Sequence, residues 1–432
     1  MSLDLSRITF DAHRDFLGVV MQQGRVQLDA DWNEWVAQVA RRLQAGTLDT
    51  LGRAVVPRET PDGFLIQAAG GGLTIGRGRI YVDGLLAENH GTGDAVWDPR
   101  LAEEHGAEPI DYFEQPYLPE PPALPESAGP HLVYLDVWQR EISPVQAPEL
   151  IEPAVGVDTT GRLQTVWQVR LLADVGDITC STPDEEIPNW LEETRPSAGR
   201  LTTDTADPPD EPDPCAVPPG SGYRGLENQL YRVEIHDRGP GGTATFKWSR
   251  DNATVATRVL AIPELNRLVV ESTGKDDVLR FGDGDWIEII DEVRELNGEP
   301  GIMRRIKLGG GVDDATRTIE LENPLAAGDF PVDGSGEPAP ELRVRIRRWD
   351  QSGEVKREDG STYFNLDASG DGVVPVPDDG TRLFLEHGVV VEFSVVDGDP
   401  TGEFHGGDWW VFAARAADAS IEILAAEPPR GV

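Results

Sequence analysis

The chain has 432 residues, and its 38 basic and 77 acidic side chains give a net charge of −39. This length allows two or three domains with their own cores, and 11 Trp, 12 Phe and 7 Tyr are too many for a disordered chain. The acidic excess excludes nucleic acid and anionic membrane surfaces as partners, because proteins bind both through clusters of Lys and Arg. No apolar run approaches the ~18 residues that a membrane span needs.

One amphipathic helix is predicted near the N-terminus. Its apolar stripe follows the spacing i, i+3, i+4, i+7 and i+11 and consists of Trp32, Trp35, Val36, Val39 and Leu43. Asp31 is placed to cap the first turn, and Gly46 is expected to end the helix. Residues 7–10 and 19–21 look extended, so residues 1–52 are predicted to form an arm and a docking helix. A stripe with two Trp needs a partner surface, either in this chain or on a neighbour.

A first β domain is predicted over residues 53–175, where the hydrophobic period changes to two. Asp83-Gly84 is typical of a tight hairpin turn between strands near 78–82 and 85. Further strands are expected at 131–138 and 163–172. Residues 98–130 are acidic and rich in Pro, and we expect them to form a long irregular excursion.

The rest of the chain is predicted to be a linker followed by a second β region. Residues 176–222 are predicted to be the least structured stretch, and their acidic, Pro-rich composition favours an inter-domain linker or a projecting loop. Alternating strands then recur through residues 223–432, and Trp248, Trp286 and Trp349 fall at positions expected to be core. The fold class is therefore mainly β, with two or more sandwich-like or barrel-like domains after the N-terminal arm and helix.

The sequence contains no motif of a known catalytic class. His-x-x-x-His, Gly-x-Ser-x-Gly and the phosphate-binding Gly-x-x-x-x-Gly-Lys loop are all missing from the 432 residues. Glycosidases use two carboxylates, but among 77 acidic residues no pair stands out. We therefore expect a protein that is not an enzyme, with no catalytic residue.

Calcium is the one metal with a candidate site. Oxygen-bearing side chains alternate at Asn365, Asp367, Ser369 and Asp371, which resembles the first half of a calcium-binding loop. The bidentate Glu expected later in such a loop is Val376 here. A hydrogen-bonded acidic turn is the favoured interpretation, and a calcium site is the alternative.

Two further pairs of residues leave alternatives open. Cys180 and Cys215 flank the acidic Pro-rich stretch, so a loop-closing disulfide and two free thiols are both compatible with their spacing. Adjacent residues on a strand point to opposite faces, so one of Trp409 and Trp410 can be exposed. An exposed Trp there could stack on a sugar or anchor an interface, and burial beneath a loop is the alternative.

Several stretches resemble the signature of an uncharacterised family encoded in phage-tail-like gene clusters, including contractile injection systems. The N-terminal part of this resemblance is Arg7-Ile-Thr-Phe10 followed by residues 21–34. The other matching stretches are residues 134–138, 165–169, 227–236, 246–252 and 348–351. The resemblance therefore extends over most of residues 7–412.

A looser similarity links the chain to phage baseplate and fibre-attachment proteins. They resemble it in the segment 24–34, which leads into an acidic Trp-Asn-Glu helix, and in the hairpin 78–84. By analogy, the arm and helix would dock onto or trimerise with neighbouring subunits, and the β domains would project. The resemblance supplies no catalytic residue.

These observations predict a non-enzymatic structural subunit of a contractile injection system, in its baseplate or an attached fibre or spike. Its partners would be other tail subunits and further copies of itself. The alternatives are a module at the particle tip that binds cell-surface glycan through Trp409 or Trp410 and, less favoured, a polysaccharide-cleaving tailspike, since no β-helix repeat is found. Residues 1–10 show no secretory signal, so we expect synthesis in the cytoplasm and a particle that stays there or is released. Scarce Lys beside abundant Asp and Glu fits a salt-adapted proteome or a GC-rich genome.

Overall fold

The protein, described here from a computed structural model, is mainly β as predicted, with 34% of residues in strands and 13% in helices. The structure describes residues 2–92, 108–127, 129–179, 181–206, 222–396 and 402–431. The chain divides into two compact units. The N-terminal β unit comprises residues 9–141 and 162–196, and the C-terminal β unit comprises residues 1–8, 142–161 and 197–432.

The N-terminal β unit contains two α-helices and eight strands among its described residues. The helices are α1 (Asp29–Leu51) and α2 (Trp190–Thr194). The strands are β1 (Ala54–Val55), β2 (Ile66–Ala69), β3 (Gly72–Ile75), β4 (Gly78–Val82), β5 (Leu85–Asn89), β6 (Ile110–Asp111), β7 (Leu132–Ile142) and β8 (Arg162–Leu172). They form three sheets in the orders β1-β4-β5, β2-β3-β6 and β7-β8.

Helix α1 is longer than predicted at both ends. It begins two residues before Asp31, whose carboxylate still accepts the backbone N–H of Leu28 at 3.1 Å. At the other end Gly46 lies inside the helix, and the chain turns only at Gly52, where φ is +95°. One Gly in a helix interior costs only ~1 kcal/mol, which the rest of a 23-residue helix outweighs. No helix in the described part of the chain is long and apolar enough to cross a membrane.

The predicted hairpin at residues 78–84 is confirmed. Val82 pairs with Leu85 across a two-residue turn, and Asp83 and Gly84 both have positive φ, as this turn type requires. The core of this unit lies beneath the three sheets, where the ring of Trp167 meets Phe64 edge-on at 5.0 Å.

Two segments predicted to be irregular are partly ordered into the fold. In the acidic excursion 98–130, β6 pairs with β3, and the side chain of Tyr112 is fully buried. In the expected linker 176–222, α2 is followed by a strand that forms the edge of a sheet in the C-terminal β unit. These elements were not predicted because the two segments are rich in Pro and acidic residues, and because such short elements leave little periodic pattern.

The C-terminal β unit has one α-helix and seventeen strands among its described residues. The helix is α3 (Glu292–Leu296). The strands are β9 (Gly199–Thr205), β10 (Gln229–Ile235), β11 (Thr245–Ser249), β12 (Ala256–Glu264), β13 (Arg267–Val270), β14 (Trp286–Ile290), β15 (Ile302–Arg305), β16 (Val312–Asp313), β17 (Thr318–Glu320), β18 (Arg345–Trp349), β19 (Glu354–Arg357), β20 (Thr362–Asn365), β21 (Val374–Pro375), β22 (Leu383–Phe384), β23 (Val389–Val395), β24 (Trp409–Arg415) and β25 (Ser420–Ile421).

Two five-stranded sheets of this unit form a β-sandwich. Their orders are β21-β11-β10-β24-β25 and β20-β19-β22-β23-β9. Both sheets contribute to one core, in which Phe246 of the first sheet meets Phe393 of the second with ring centroids 4.7 Å apart. Strand β9 pairs with β23 over seven residues, which explains why residues 197–206 belong to this unit.

The remaining seven strands form a barrel-like sheet with its own core. Their order is β15-β14-β18-β12-β13-β17-β16. An isolated backbone bridge joins Ile306, just after β15, to Leu321, just after β17, and partly closes the sheet into a barrel. The residues 1–8 that begin the predicted arm also belong to this unit, because Leu5 and Ile8 pack against the outer face of β10 and β24.

Candidate functional site

The apolar stripe of α1 is exposed over its whole length. Trp32 and Trp35 are 55% and 43% exposed, and Leu43 is 67% exposed. Val36 and Val39, which lie between them in the sequence, are exposed as well. The two indole rings contact each other edge-on, with centroids 5.3 Å apart. All five residues predicted for docking therefore lie on one accessible face.

The opposite face attaches the helix to the N-terminal β unit. Ala30 is buried and its carbonyl oxygen accepts a hydrogen bond from the hydroxyl of Thr9 at 3.3 Å. Gln44 donates to the carbonyl oxygen of Asp83 in the β4–β5 turn at 3.1 Å, and Gly84 lies against the backbone of Gln44, where any Cβ would clash. The fold thus holds α1 by one face and leaves the Trp-bearing face uncovered.

Exposed apolar side chains are concentrated in the same part of the chain. Of the 26 large hydrophobic residues that are exposed in the described structure, 12 lie between residues 16 and 51. The members outside the helical stripe are Phe16, Leu17, Val20, Met21, Val26, Leu28 and Leu51. Large exposed apolar patches mark interaction sites in folded proteins, so this segment is a candidate interaction surface.

An open groove of about 550 Å³ runs along the C-terminal half of the same helix. Val39, Leu43 and Leu51 form its apolar wall together with Leu17 of the arm. Its remaining lining residues are Gln38, Arg42, Gly46, Thr47 and Thr50. A Cβ built on Gly46, one of these lining residues, would meet nothing within 4 Å.

A buried cluster of charged side chains is the second unusual feature. It lies in the C-terminal β unit, where strands β10 and β11 of the sandwich meet β14 and β18 of the barrel-like sheet. We call it the buried charge cluster, and it consists of Arg232, Glu234, His236, Lys247, Glu288 and Arg347.

Glu288 is at the centre of the cluster, and both of its carboxylate oxygens are fully used. Oε1 accepts from the ammonium of Lys247 at 2.6 Å and from the backbone N–H of Gly301 at 3.1 Å. Oε2 accepts from the guanidinium of Arg347 at 2.7 Å and from the indole N–H of Trp349 at 3.1 Å. This carboxylate therefore connects β14 with β11 and β18.

Glu234 completes the cluster on the sandwich side. Its oxygens accept from Arg232 at 2.7 Å and from Arg347 at 2.9 Å, and Lys247 lies 3.2 Å away. Burial raises the pKa of a carboxyl group, but the charges of Arg347, Lys247 and Arg232 outweigh it and hold the pKa of Glu234 at about 2. Three cations then face two carboxylates, so the cluster carries one excess positive charge.

His236 is neutral in this surrounding. An ammonium group can donate hydrogen bonds but cannot accept them. The ammonium of Lys247 therefore donates to Nδ1 of His236 across 3.1 Å, and the ring proton is on Nε2. Burial, followed by the charge of Lys247, lowers the pKa of His236 to about 4. The geometry fits a structural link between the two sheets, because each ionised group already has its partners within the protein.

The cluster explains part of the sequence signature. The stretches 227–236, 246–252 and 348–351 contain or adjoin five of its six members, and Gln351 from the last stretch binds the backbone N–H of Trp248 at 3.0 Å. Charged residues alternating with apolar ones predict a solvated strand face, so sequence reasoning missed their burial. The available signal was Lys247, one of only four Lys, between Phe246 and Trp248.

The family match covers both features. A model described as a family of unknown function (DUF6519) matches residues 1–180 and 193–427. The chain belongs to this family. Neither the curated proteins nor the solved structures include a match to the chain.

In this DUF6519 chain the predicted aromatic pair on β24 is mostly covered. Trp410 is 1% exposed and donates its indole N–H to the carbonyl oxygen of Glu427 at 2.8 Å, so it is a core residue and cannot stack on a glycan. Trp409 is half-buried beneath the guanidinium of Arg232, which lies 4.2 Å from the ring centroid. Trp248, Trp286 and Trp349 are buried, as predicted.

The candidate calcium residues form hydrogen-bonded turns. Asn365 accepts the backbone N–H of Asp367 at 2.9 Å, and Ser369 accepts that of Gly372 at 3.2 Å. The carboxylate of Asp367 pairs with Arg305 at 3.0 Å, while Asp371 is exposed. Within the described ranges no group of three His, Cys, Asp or Glu is arranged to hold a metal ion. Cys180 and Cys215 lie outside the described residues.

Proposed function

We propose that this protein is a non-enzymatic structural subunit of a phage-tail-like contractile injection system, in the baseplate or an attached fibre or spike. Its docking surface would be the exposed apolar face of residues 16–51. The observation that carries the proposal is the orientation of α1, which is attached by the face opposite the stripe and presents Trp32 and Trp35 outward.

The composition of this face suits a protein interface. Aromatic residues are enriched at the centres of interfaces, and Trp is the side chain whose truncation most often costs binding energy there. The backbone of α1 is already helical and anchored, so binding would not have to order it and would lose little conformational entropy. Burial of the stripe on a neighbouring subunit would remove it from water.

The looser similarity to baseplate and fibre-attachment proteins supports the same surface. One of its segments, 24–34, begins α1, and the other, 78–84, forms β4 and the turn that binds Gln44 of that helix. The two segments therefore cooperate in presenting the docking helix. Within the C-terminal β unit, the sandwich and the barrel-like sheet are joined through the buried charge cluster.

The test is incorporation into the particle. In the producing cell, the native gene is replaced by the Trp32→Ala/Trp35→Ala variant, and particles are purified and analysed by mass spectrometry and electron microscopy. We expect the variant chain to fold, since both side chains project from the protein, and to be lost from the particle. The matched control is Leu226→Ala, which truncates a side chain that is 97% exposed in the C-terminal β unit and should leave incorporation unchanged. Wild-type incorporation of the double variant would contradict the proposal.

A further inference from the structure

We propose that α1 docks on α1 of a second copy of this chain, antiparallel and about a two-fold axis. Trp32 and Trp35 of each copy would enter the groove over Gly46 and Thr47 of the other. This inference rests on the proposed docking surface and specifies which partner covers it.

The first step is that bulky and small residues share one face of α1. At 100° per residue, Gly46, Thr47 and Thr50 fall in the same angular sector as Trp32 and Val39. The N-terminal half of the stripe therefore projects two indole rings, whereas the C-terminal half has a section of small side chains, Gly46, Thr47 and Thr50, between Leu43 and Leu51. The groove of about 550 Å³ lies over this second half.

The second step is that the two halves are arranged to complement each other in an antiparallel pair. Residues 32–35 and residues 46–50 are centred about 14 positions apart, which is roughly 20 Å along the helix. A two-fold axis at the level of residue 40 would place each Trp pair opposite the other copy's groove. Val39 and Leu43 of both copies would meet at the axis. A two-fold interface requires this kind of self-complementarity, in which residue i contacts j and j contacts i.

The third step concerns charge. Residues 16–51 contain 3 basic and 4 acidic residues, whereas the remaining residues contain 35 basic and 73 acidic ones, a net charge of −38. Elsewhere two copies would repel each other, so this nearly neutral segment is where they can approach. A basic partner would instead be attracted to the acidic remainder. Antiparallel packing also places the positive end of each helix dipole beside the negative end of the other.

The experiment measures the mass of the full chain in solution at micromolar concentration, in low and high salt, by light scattering. We expect a dimer of twice 47.1 kDa that high salt strengthens, because salt screens the repulsion between the acidic surfaces. Gly46→Leu should convert the protein to a monomer, since the new side chain fills the groove. That variant should remain folded, because a Cβ at this position meets nothing within 4 Å.

The matched control is Gly334→Leu, at another position where a Cβ meets nothing within 4 Å and φ is not positive, and it should remain a dimer. A wild-type monomer, a trimer, or a Gly46→Leu variant that still forms dimers would overturn the pairing. If the wild-type chain is a monomer and Trp32→Ala/Trp35→Ala is nevertheless lost from particles, the self-pairing fails and the docking proposal stands. If that variant enters particles normally, the docking proposal itself fails.

Discussion

Replacing Glu288 with Met is expected to destabilise the C-terminal β unit by ~3–5 kcal/mol, because it leaves buried cations without their carboxylate. Glu288 accepts hydrogen bonds from the side chains of Lys247, Arg347 and Trp349 and from the backbone N–H of Gly301. After the substitution Lys247 and Arg347 would lose their bonds to Glu288, and Glu234 would be the one carboxylate left in the buried charge cluster. The burial of Glu288, at 1% exposure, prevents water from replacing the lost acceptor.

A double-mutant cycle separates the ion pair from general packing effects. Lys247→Met alone should also cost several kcal/mol, whereas Lys247→Met/Glu288→Met removes one charge of each sign. We therefore expect the double variant to cost less than the sum of the single variants, by at least ~1 kcal/mol. The control is Glu320→Met, whose partner Lys307 lies 2.7 Å away at a partly exposed position, and which should cost less than ~1 kcal/mol.

The assay is hydrogen exchange of the β14 and β18 amides, followed by mass spectrometry in increasing urea, because it reports the free energy of opening for these strands in the full chain. The reasoning would be refuted if Glu288→Met cost no more than the Glu320→Met control. It would also be refuted if the two single-variant costs simply added in the double variant.

Three further predictions concern the C-terminal β unit. The pKa of His236 is about 4 in the folded protein and 6.5 in a free side chain. Stability that is present above pH 6.5 should therefore be lost as the pH falls toward 4, by on the order of 3 kcal/mol. In urea titrations at different pH values, His236→Gln should flatten this dependence. Trp410→Ala should cost ~3–5 kcal/mol and lower the unfolding midpoint, whereas Trp409→Ala should cost clearly less; equal costs would contradict their assigned burial. Gly372→Ala should cost ~2–4 kcal/mol in the same titrations, because φ is +70° and the new Cβ would clash with the Trp286 ring; an unchanged midpoint would contradict it.

The position and apolar face of α1 were predictable from the sequence because the stripe repeats over about three turns, but whether this chain covers that face was left open. The ends of α1 were not predictable, since the prediction treated Gly46 as a terminator, whereas termination depends on the positive φ that the chain adopts only at Gly52. The β4–β5 hairpin was predictable because Asp83-Gly84 lies between two apolar strands, where an Asp-Gly pair strongly favours a tight two-residue turn.

The buried charge cluster shows what a single sequence conceals. Glu234 and Lys247 alternate with apolar neighbours on their strands, and that pattern normally places charges in water. They are buried because a second sheet brings Glu288 and Arg347 to the same place from more than 40 residues away along the chain. Such long-range pairing is decided by topology, which local periodicity does not specify.

Oxidative footprinting of the intact particle tests the central claim most directly, because it measures whether assembly covers the docking helix. The isolated fold leaves Trp32 and Trp35 55% and 43% exposed, whereas Trp410 is buried and serves as an internal reference. We predict that in the particle both residues are oxidised as slowly as Trp410. Oxidation of Trp32 and Trp35 at the rate expected for freely accessible indoles would contradict the claim that this helix docks the protein.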